Sequence, residues 1–311
     1  MTITGVSHMF FHGLDAVAMR AADGAQAIVT LHGGHVVSWT PAGSDLERLY
    51  LSPASVFSRG QAIRGGVPVV FPQFANRGPL ANHGFARTSA WQLQHHERGP
   101  GGEALAVLRL VDDARMRSVW PHEFVLELGV RVLADSLTLE LSCTNTGAAP
   151  MPFTCALHTY LRVADVSRVV LEGLCGQAYW DKTDERDKTQ DAELLVIDGE
   201  VDRVYAGVLR DLLLRERVGV PTGALHISQR GFDDVVVWNP GERRCALLPD
   251  MPAQGYRQML CVEAARIAAP VLLQCGQRWQ GLQQLRVSDE DARSPDARRN
   301  APTLAGTTPP Q

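Results

Sequence analysis

Three groups of residues in this chain combine a reactive side chain with an unexpected setting. The first is Glu263, inside the run Met259-Leu260-Cys261-Val262-Glu263-Ala264-Ala265. Read as a strand, this run puts Leu260, Val262 and Ala264 on one face and Met259, Cys261 and Glu263 on the other. A carboxylate held there loses hydration, and desolvation raises its pKa towards that of a usable base. The second is His158, in Phe153-Thr154-Cys155-Ala156-Leu157-His158-Thr159-Tyr160-Leu161. Alternation groups it with Thr154, Ala156 and Tyr160 on the more polar face. Imidazole titrates near neutrality and can deliver a proton. The third comprises Arg64, in Ile63-Arg64-Gly65-Gly66-Val67-Pro68, and Arg87, in Asn82-His83-Gly84-Phe85-Ala86-Arg87. Both lie near glycines that permit close backbone approach. A guanidinium suits planar, bidentate recognition of carboxylate or phosphate. Each group also has a structural alternative. Glu263 could face solvent on an edge strand or form a core salt bridge, His158 could be a core histidine bonded to backbone, and both arginines could be surface residues beside turns.

Other candidates carry less. Cys143, Cys155, Cys175, Cys245, Cys261 and Cys275 form no CxxC pair, and most sit in apolar runs, which points to reduced, buried thiols. A Cys/His zinc site lacks its usual ligand spacing. There is no GxSxG elbow, Walker loop or GxGxxG after a strand. His95-His96 reads as a solvated turn, and the alternating charges from Asp181 to Lys188 read as a solvated loop.

The elements that must position these residues are strands. The segment Ala27–Leu31 resumes after His32-Gly33-Gly34-His35 as Val36–Trp39, and the glycine pair suggests a bulge or close backbone approach. Phe124–Leu133 and Leu137–Ser142, separated by a short polar turn, read as a hairpin. Further strands are expected at Leu105–Leu110, Phe153–Val163, Val169–Leu174, Asp234–Trp238, Cys245–Leu248, Gln258–Ala265 and Trp279–Val287. No helical stripe of ordinary length is sustained. Many short strands with frequent Gly and Pro turns imply an all-β sandwich or barrel in one domain, residues 1–287. The polar, Pro-containing segment 288–311 is expected to be a disordered tail.

Composition narrows the partners. The 311 residues carry 30 Lys+Arg against 34 Asp+Glu, a net charge of -4. No basic excess exists to drive binding to nucleic acid or an anionic membrane, so an anionic ligand would need a local basic cluster. No apolar run approaches the ~20 residues that span a bilayer. The start, Met1-Thr2-Ile3-Thr4-Gly5, lacks the pattern of a signal peptide, so a cytoplasmic location is expected.

Taken in order, the chain resembles the hexose-6-phosphate mutarotase (glucose-6-phosphate 1-epimerase) branch of the aldose 1-epimerase superfamily. The resemblance rests on Ile63–Pro68 with Phe71-Pro72, His83–Arg87 with Trp91, Trp120-Pro121-His122, Asn145-Thr146-Gly147 and Ala156–Tyr160. It continues through Val201–Tyr205, Trp238-Asn239-Pro240, Asp250-Met251-Pro252 with Gly255-Tyr256, and Cys261-Val262-Glu263. It implies a large antiparallel β-sandwich of supersandwich type and a monomeric enzyme interconverting the anomers of a hexose 6-phosphate. By that resemblance Glu263 is the general base, His158 the general acid, His83 a donor to the sugar, Asp202 an acceptor from a sugar hydroxyl, and Arg64 and Arg87 the phosphate ligands. Asn82 stands where the family carries Gln, and Gln254 and Arg257 where it often carries Asp and Lys. No bond outside the hemiacetal breaks, so neither a metal nor another cofactor is implied. The competing readings are a mutarotase of unphosphorylated aldoses, a non-catalytic carbohydrate-binding sandwich, and a glycoside hydrolase using Asp202 and Glu263 as its carboxylate pair.

Overall fold

The computed structural model describes residues 5–216 and 224–288. Its ladders form three sheets of antiparallel strands. Four N-terminal strands, Gly5–Phe11, Leu14–Arg20, Gln26–Thr30 and His35–Thr40, pair in sequence order. A nine-stranded sheet has Arg278–Ser288 near its middle, flanked by Ser136–Asn145 and Ala224–Arg230. The eight-stranded sheet carries the functional candidates. Across it run Ala178–Asp181, Val201–Tyr205, Asp234–Asn239, Met259–Leu273, Met151–Leu157 and Val69–Val70, with Tyr160–Arg162 also on Met259–Leu273.

Strand period explains the layering. Phe124–Leu133 alternates strictly between buried and partly exposed positions, and its inward Leu126 and Leu128 meet Leu157, Val237, Leu260, Val262 and Ala264 in one core. Met259–Ala265 is different, because every one of its residues is buried. Leu260, Val262 and Ala264 belong to the main core. On the opposite face, Met259 and Cys261 pack with Tyr160 and Trp238, and Ala265 packs with Ala156, Val204 and Val236. Both faces of this strand are covered, so Glu263 reaches neither bulk solvent nor the main core.

The expected all-β sandwich is therefore present, and the two α-helices, Ala114–Val119 and Gly241–Cys245, are short. Several local expectations need correction. Cys245–Leu248 is not a strand: it closes the helix Gly241–Cys245 and continues into a turn, with Cys245 buried. A four-residue apolar run satisfies either period, and Pro240 at φ -70 starts the helix. His95 and His96 lie in the exposed strand Gln92–Arg98 at the outer edge of the nine-stranded sheet, where polar residues discourage further pairing. The charges from Asp181 to Lys188 form a hairpin between Ala178–Asp181 and Arg186–Thr189. The close approach expected at Gly33-Gly34 is present: at the turn between the two strands, a Cβ on Gly33 would strike the Arg87 carbonyl and one on Gly34 the Trp91 ring. Phe153–Val163 divides into Met151–Leu157 and Tyr160–Arg162. Gln258–Ala265 extends to Leu273. Ser288 ends the last strand, and the remainder of the expected tail, 289–311, lies outside the described residues.

Candidate active site

Register brings His158 to Glu263. Leu157 pairs with Ala264 and Tyr160 pairs with Cys261, so the same antiparallel register places His158 opposite Glu263 across the gap. In that gap the His158 N–H donates to the Pro68 carbonyl at 3.0 Å and the Thr159 N–H to the Leu157 carbonyl at 2.9 Å. His158 Nδ1 lies 3.2 Å from Glu263 Oε1. Even so, His158 Nδ1 and Glu263 Oε2 are both buried with no hydrogen-bond partner, which leaves capacity for a ligand's polar groups.

The pair lines a cavity of about 210 Å³, walled also by Arg64, Asn82, His83, Lys182, Asp202 and Trp238. His83 sits edge-on to His158, with ring centroids 5.4 Å apart. Tyr160 stacks on the other side of His158 at 4.8 Å, and Trp238 meets both rings edge-on. The backbone of His83 is left-handed (φ 65), a state that costs a non-glycine residue about 1–3 kcal/mol and collects at functional sites. Gly84 follows at φ 69, where a Cβ would strike the Phe71 carbonyl. His83 Nδ1 accepts from the Ala75 N–H at 3.3 Å, so a neutral His83 ring carries its proton on Nε2 as a donor.

Electrostatics sorts the charged residues into pairs. Arg64 reaches Asp250 through Nε and Nη2, each at 3.1 Å, and donates from Nη1 to the Tyr160 hydroxyl at 3.0 Å. Burial works against its charge, but Tyr160 and Asp250 more than offset that and raise its pKa. Lys182 Nζ lies 3.4 Å from Asp202 Oδ2. Arg87 differs from both: it does not line the cavity, and among the described residues no carboxylate lies in ion-pair reach of it. Its Nη2 donates to the Asn82 carbonyl at 2.8 Å, its buried Nε has no partner, and burial lowers its pKa.

Burial drives the central groups towards their neutral forms. Burial holds the Glu263 carboxyl well above the usual carboxylate range, and Asp202 adds to this while Lys182 and Arg87 oppose it. Burial pushes His158 well below the usual imidazole range, assisted by His83, Arg87 and Arg64. His83 is lowered to about 3, again by burial first and then by Arg87, Lys182 and Arg64. Burial likewise raises Asp202, with Lys182 opposing.

The sequence candidates His158, Glu263, Arg64, Asn82, His83 and Asp202 thus converge on one cavity, while Arg87 joins it through Asn82 and through its charge. Lys182 and Trp238 were given no role by sequence reasoning. Lys182 was hidden in a charge run that resembles any solvated loop, and the Tyr179/Asp181 inward alternation before it was the weak signal available. One three-donor cluster occurs among the described residues: His158, Cys261 and Glu263 place one ligand atom each within 4.8 Å of the others. Two of its members are the His/Glu pair, and the positive charges of Arg64, Arg87 and Lys182 act on that pair against a cation.

Known proteins resemble this chain in sequence and in fold. The sequence pattern of the aldose 1-epimerase family matches residues 15–286. A protein of Cenchrus ciliaris named "Putative glucose-6-phosphate 1-epimerase" is 34% identical over 277 residues, 86% of this chain and 83% of its own length. An Escherichia coli protein of the same name is 36% identical over 262 residues, 81% of this chain and 84% of its own. Among solved structures, "a putative mutarotase (YeaD) from Salmonella typhimurium" superposes with a TM-score of 0.83 at 27% identity, covering 93% of this chain and 96% of that one.

Proposed function

The chain belongs to the aldose 1-epimerase family, and from that premise we propose that it interconverts the α and β anomers of a hexose 6-phosphate, glucose 6-phosphate first among them. The observation that carries this reading is the His158–Glu263 pair, 3.2 Å apart in a cavity also lined by Arg64, Lys182 and Asp202. A carboxylic acid beside a neutral imidazole and a carboxylate beside an imidazolium hold the same number of protons. Passing one proton from Glu263 to His158 therefore creates base and acid together.

Glu263 then takes the proton of the anomeric hydroxyl as His158 gives one to the ring oxygen. The C1–O5 bond breaks with its electrons on O5, and C1 becomes a carbonyl. Rotation about C1–C2 presents the other carbonyl face, and reclosure with reversed proton transfers gives the other anomer. Each proton-transfer partner contributes ~10²–10⁴-fold. His83, neutral and with its Nε2 proton available, serves as a donor to sugar oxygen, and Asp202 accepts from a sugar hydroxyl. Asn82, beside them on the cavity wall, offers its amide to the ligand.

The phosphate assignment rests on charge. The charge of Arg64 is already met by Asp250 and that of Lys182 by Asp202, whereas Arg87 has no carboxylate partner among the described residues. A phosphate bridging Arg64 and Arg87 supplies that partner. The deciding measurement is NMR exchange or polarimetry on pure α-glucose 6-phosphate. The protein should accelerate mutarotation above the buffer rate, and Arg87→Ala should raise KM roughly 10- to 100-fold, the value of a charged hydrogen bond, with little change in kcat. Equal rates on free α-glucose would defeat the phosphate assignment, and no acceleration on either sugar would defeat the reaction itself.

A further inference from the structure

We propose that Gln283 is a positioning residue for the His158–Glu263 pair, tying together the backbone beside each member through one buried amide. The proposal rests on the acid–base reading above. Gln283 lies on Arg278–Ser288, in the nine-stranded sheet, where the buried positions alternate as Gly281, Gln283 and Leu285. A fully buried amide on that face fills space an aliphatic side chain could fill, and it is stable there only because it is bonded. Its Nε2 donates to the Val262 carbonyl at 3.1 Å, and its Oε1 accepts from the Thr159 hydroxyl at 2.6 Å. Val262 immediately precedes Glu263, and Thr159 immediately follows His158.

The tie falls at a gap in the pairing of the eight-stranded sheet. Regular pairing lapses at residues 158 and 159, whose N–H groups turn to Pro68 and Leu157. Across that gap the Val262 N–H donates to the Thr159 carbonyl at 3.1 Å. Gln283 adds a second link from the opposite sheet, reaching the Val262 carbonyl and the Thr159 side chain. By alternation Thr159 points into the sandwich while His158 points to the cavity, so the hydroxyl can be held without obstructing the imidazole. With the two backbones fixed on either side, the imidazole and carboxyl keep a separation suited to proton transfer. A misplacement of about 1 Å can cost ~10²-fold in rate.

The test compares Gln283→Met, which keeps volume and removes both bonds, with Thr159→Val, which keeps shape and removes one, and Thr159→Ser, which keeps the hydroxyl. On α-glucose 6-phosphate, kcat should fall about tenfold in Gln283→Met and Thr159→Val, with KM within about twofold. Their double variant should be no worse than the worse single, as for residues acting as a unit. Thr159→Ser should keep the wild-type kcat. The ¹⁵N resonances of the His158 ring should move in the two disrupting variants and not in Thr159→Ser, a readout that does not need turnover. An inactive wild type would therefore count against the proposed reaction, while the His158 resonances would still judge the tie. Unchanged resonances in a folded Thr159→Val or Gln283→Met protein overturn the proposal. So does an unchanged kcat with only a lower melting temperature, or failure of even Thr159→Val to fold.

Discussion

Alternate residues of Met259–Ala265, the first half of the strand Met259–Leu273, serve two faces of one sheet, and the faces follow different rules. Leu260, Val262 and Ala264 point into the sandwich, where each is replaceable by whatever fills its volume. Cys261 and Glu263 point to a second buried layer with Tyr160, Trp238 and His158. Burial on the inner face stabilises the fold, by roughly 1.5–3 kcal/mol for a large aliphatic side chain. Burial on the outer face perturbs a titration: it makes a carboxyl hold its proton and an imidazole release one. Over Leu260–Ala264 the strand thus separates the main core from the His158–Glu263 pair by the parity of residue number.

Substitutions on the two faces should show that separation. The largest effect belongs to Glu263→Gln, expected to lower kcat for α-glucose 6-phosphate mutarotation by ~10²–10⁴-fold with the fold and sugar binding retained. Turnover within a few-fold of wild type would remove Glu263 from the mechanism. Leu260→Ala, three residues earlier on the other face, should lower unfolding stability by about 2–5 kcal/mol while kcat per folded molecule stays within about twofold of wild type. Denaturant unfolding alongside kinetics measures both, and a large kcat loss in folded Leu260→Ala would blur the distinction between the faces.

A smaller effect should appear in pH dependence. Burial and then Asp202 hold Glu263 above the usual range, and the active pair holds one proton, so its loss from Glu263 should set the alkaline limb of the kcat/KM profile, above ~4.3, the ordinary glutamate value. Lys182→Met removes a positive charge that favours the carboxylate and should move the limb to higher pH, and Asp202→Asn should move it to lower pH. Each shift should be on the order of one unit. Movement of both in the same direction would contradict the electrostatic account. The smallest effect concerns stability. Because the folded pKa of Glu263 is raised, its contribution is complete below its unfolded value near ~4.3 and is lost as pH rises through the folded value. Glu263→Gln should therefore raise Tm at about pH 8 and not at about pH 4, a gain of ~1 kcal/mol corresponding to roughly 2–4 °C in a domain this size. No gain at the higher pH would mean that burying the carboxyl has no such cost.

Much of this was legible in the chain. The hairpin of Phe124–Leu133 with Ser136–Asn145 followed from two alternating runs and a polar turn. The parity that groups Glu263 with Cys261 and Met259 followed from the two-residue period. The order of short motifs pointed to the family and to six of the residues that line the cavity. Other features were not readable locally. Cys245–Leu248 was too short for its period to distinguish strand from helix. Lys182 looked like solvent-facing charge because nothing in Asp181–Lys188 reveals that the turn leads back to Asp202, whose carbonyl accepts its backbone N–H at 2.8 Å. Gln283 carried no sequence signal at all, since an amide in a strand is ordinary until its partners are known.

By itself the sequence determined the predominance of strands, the faces on which His158 and Glu263 stand, and the close backbone approach at Gly33-Gly34 and Gly84. These depend on the chemistry of adjacent residues, and the chain dictates them within a few positions. The tertiary structure alone decided that His158 stands opposite Glu263, that Asp250 neutralises Arg64 and Asp202 pairs with Lys182, and that Arg87 is left without a carboxylate partner among the described residues. Those outcomes depend on which strands lie side by side and in what register. Register is fixed by packing a whole sheet against its neighbour, and no local pattern encodes it.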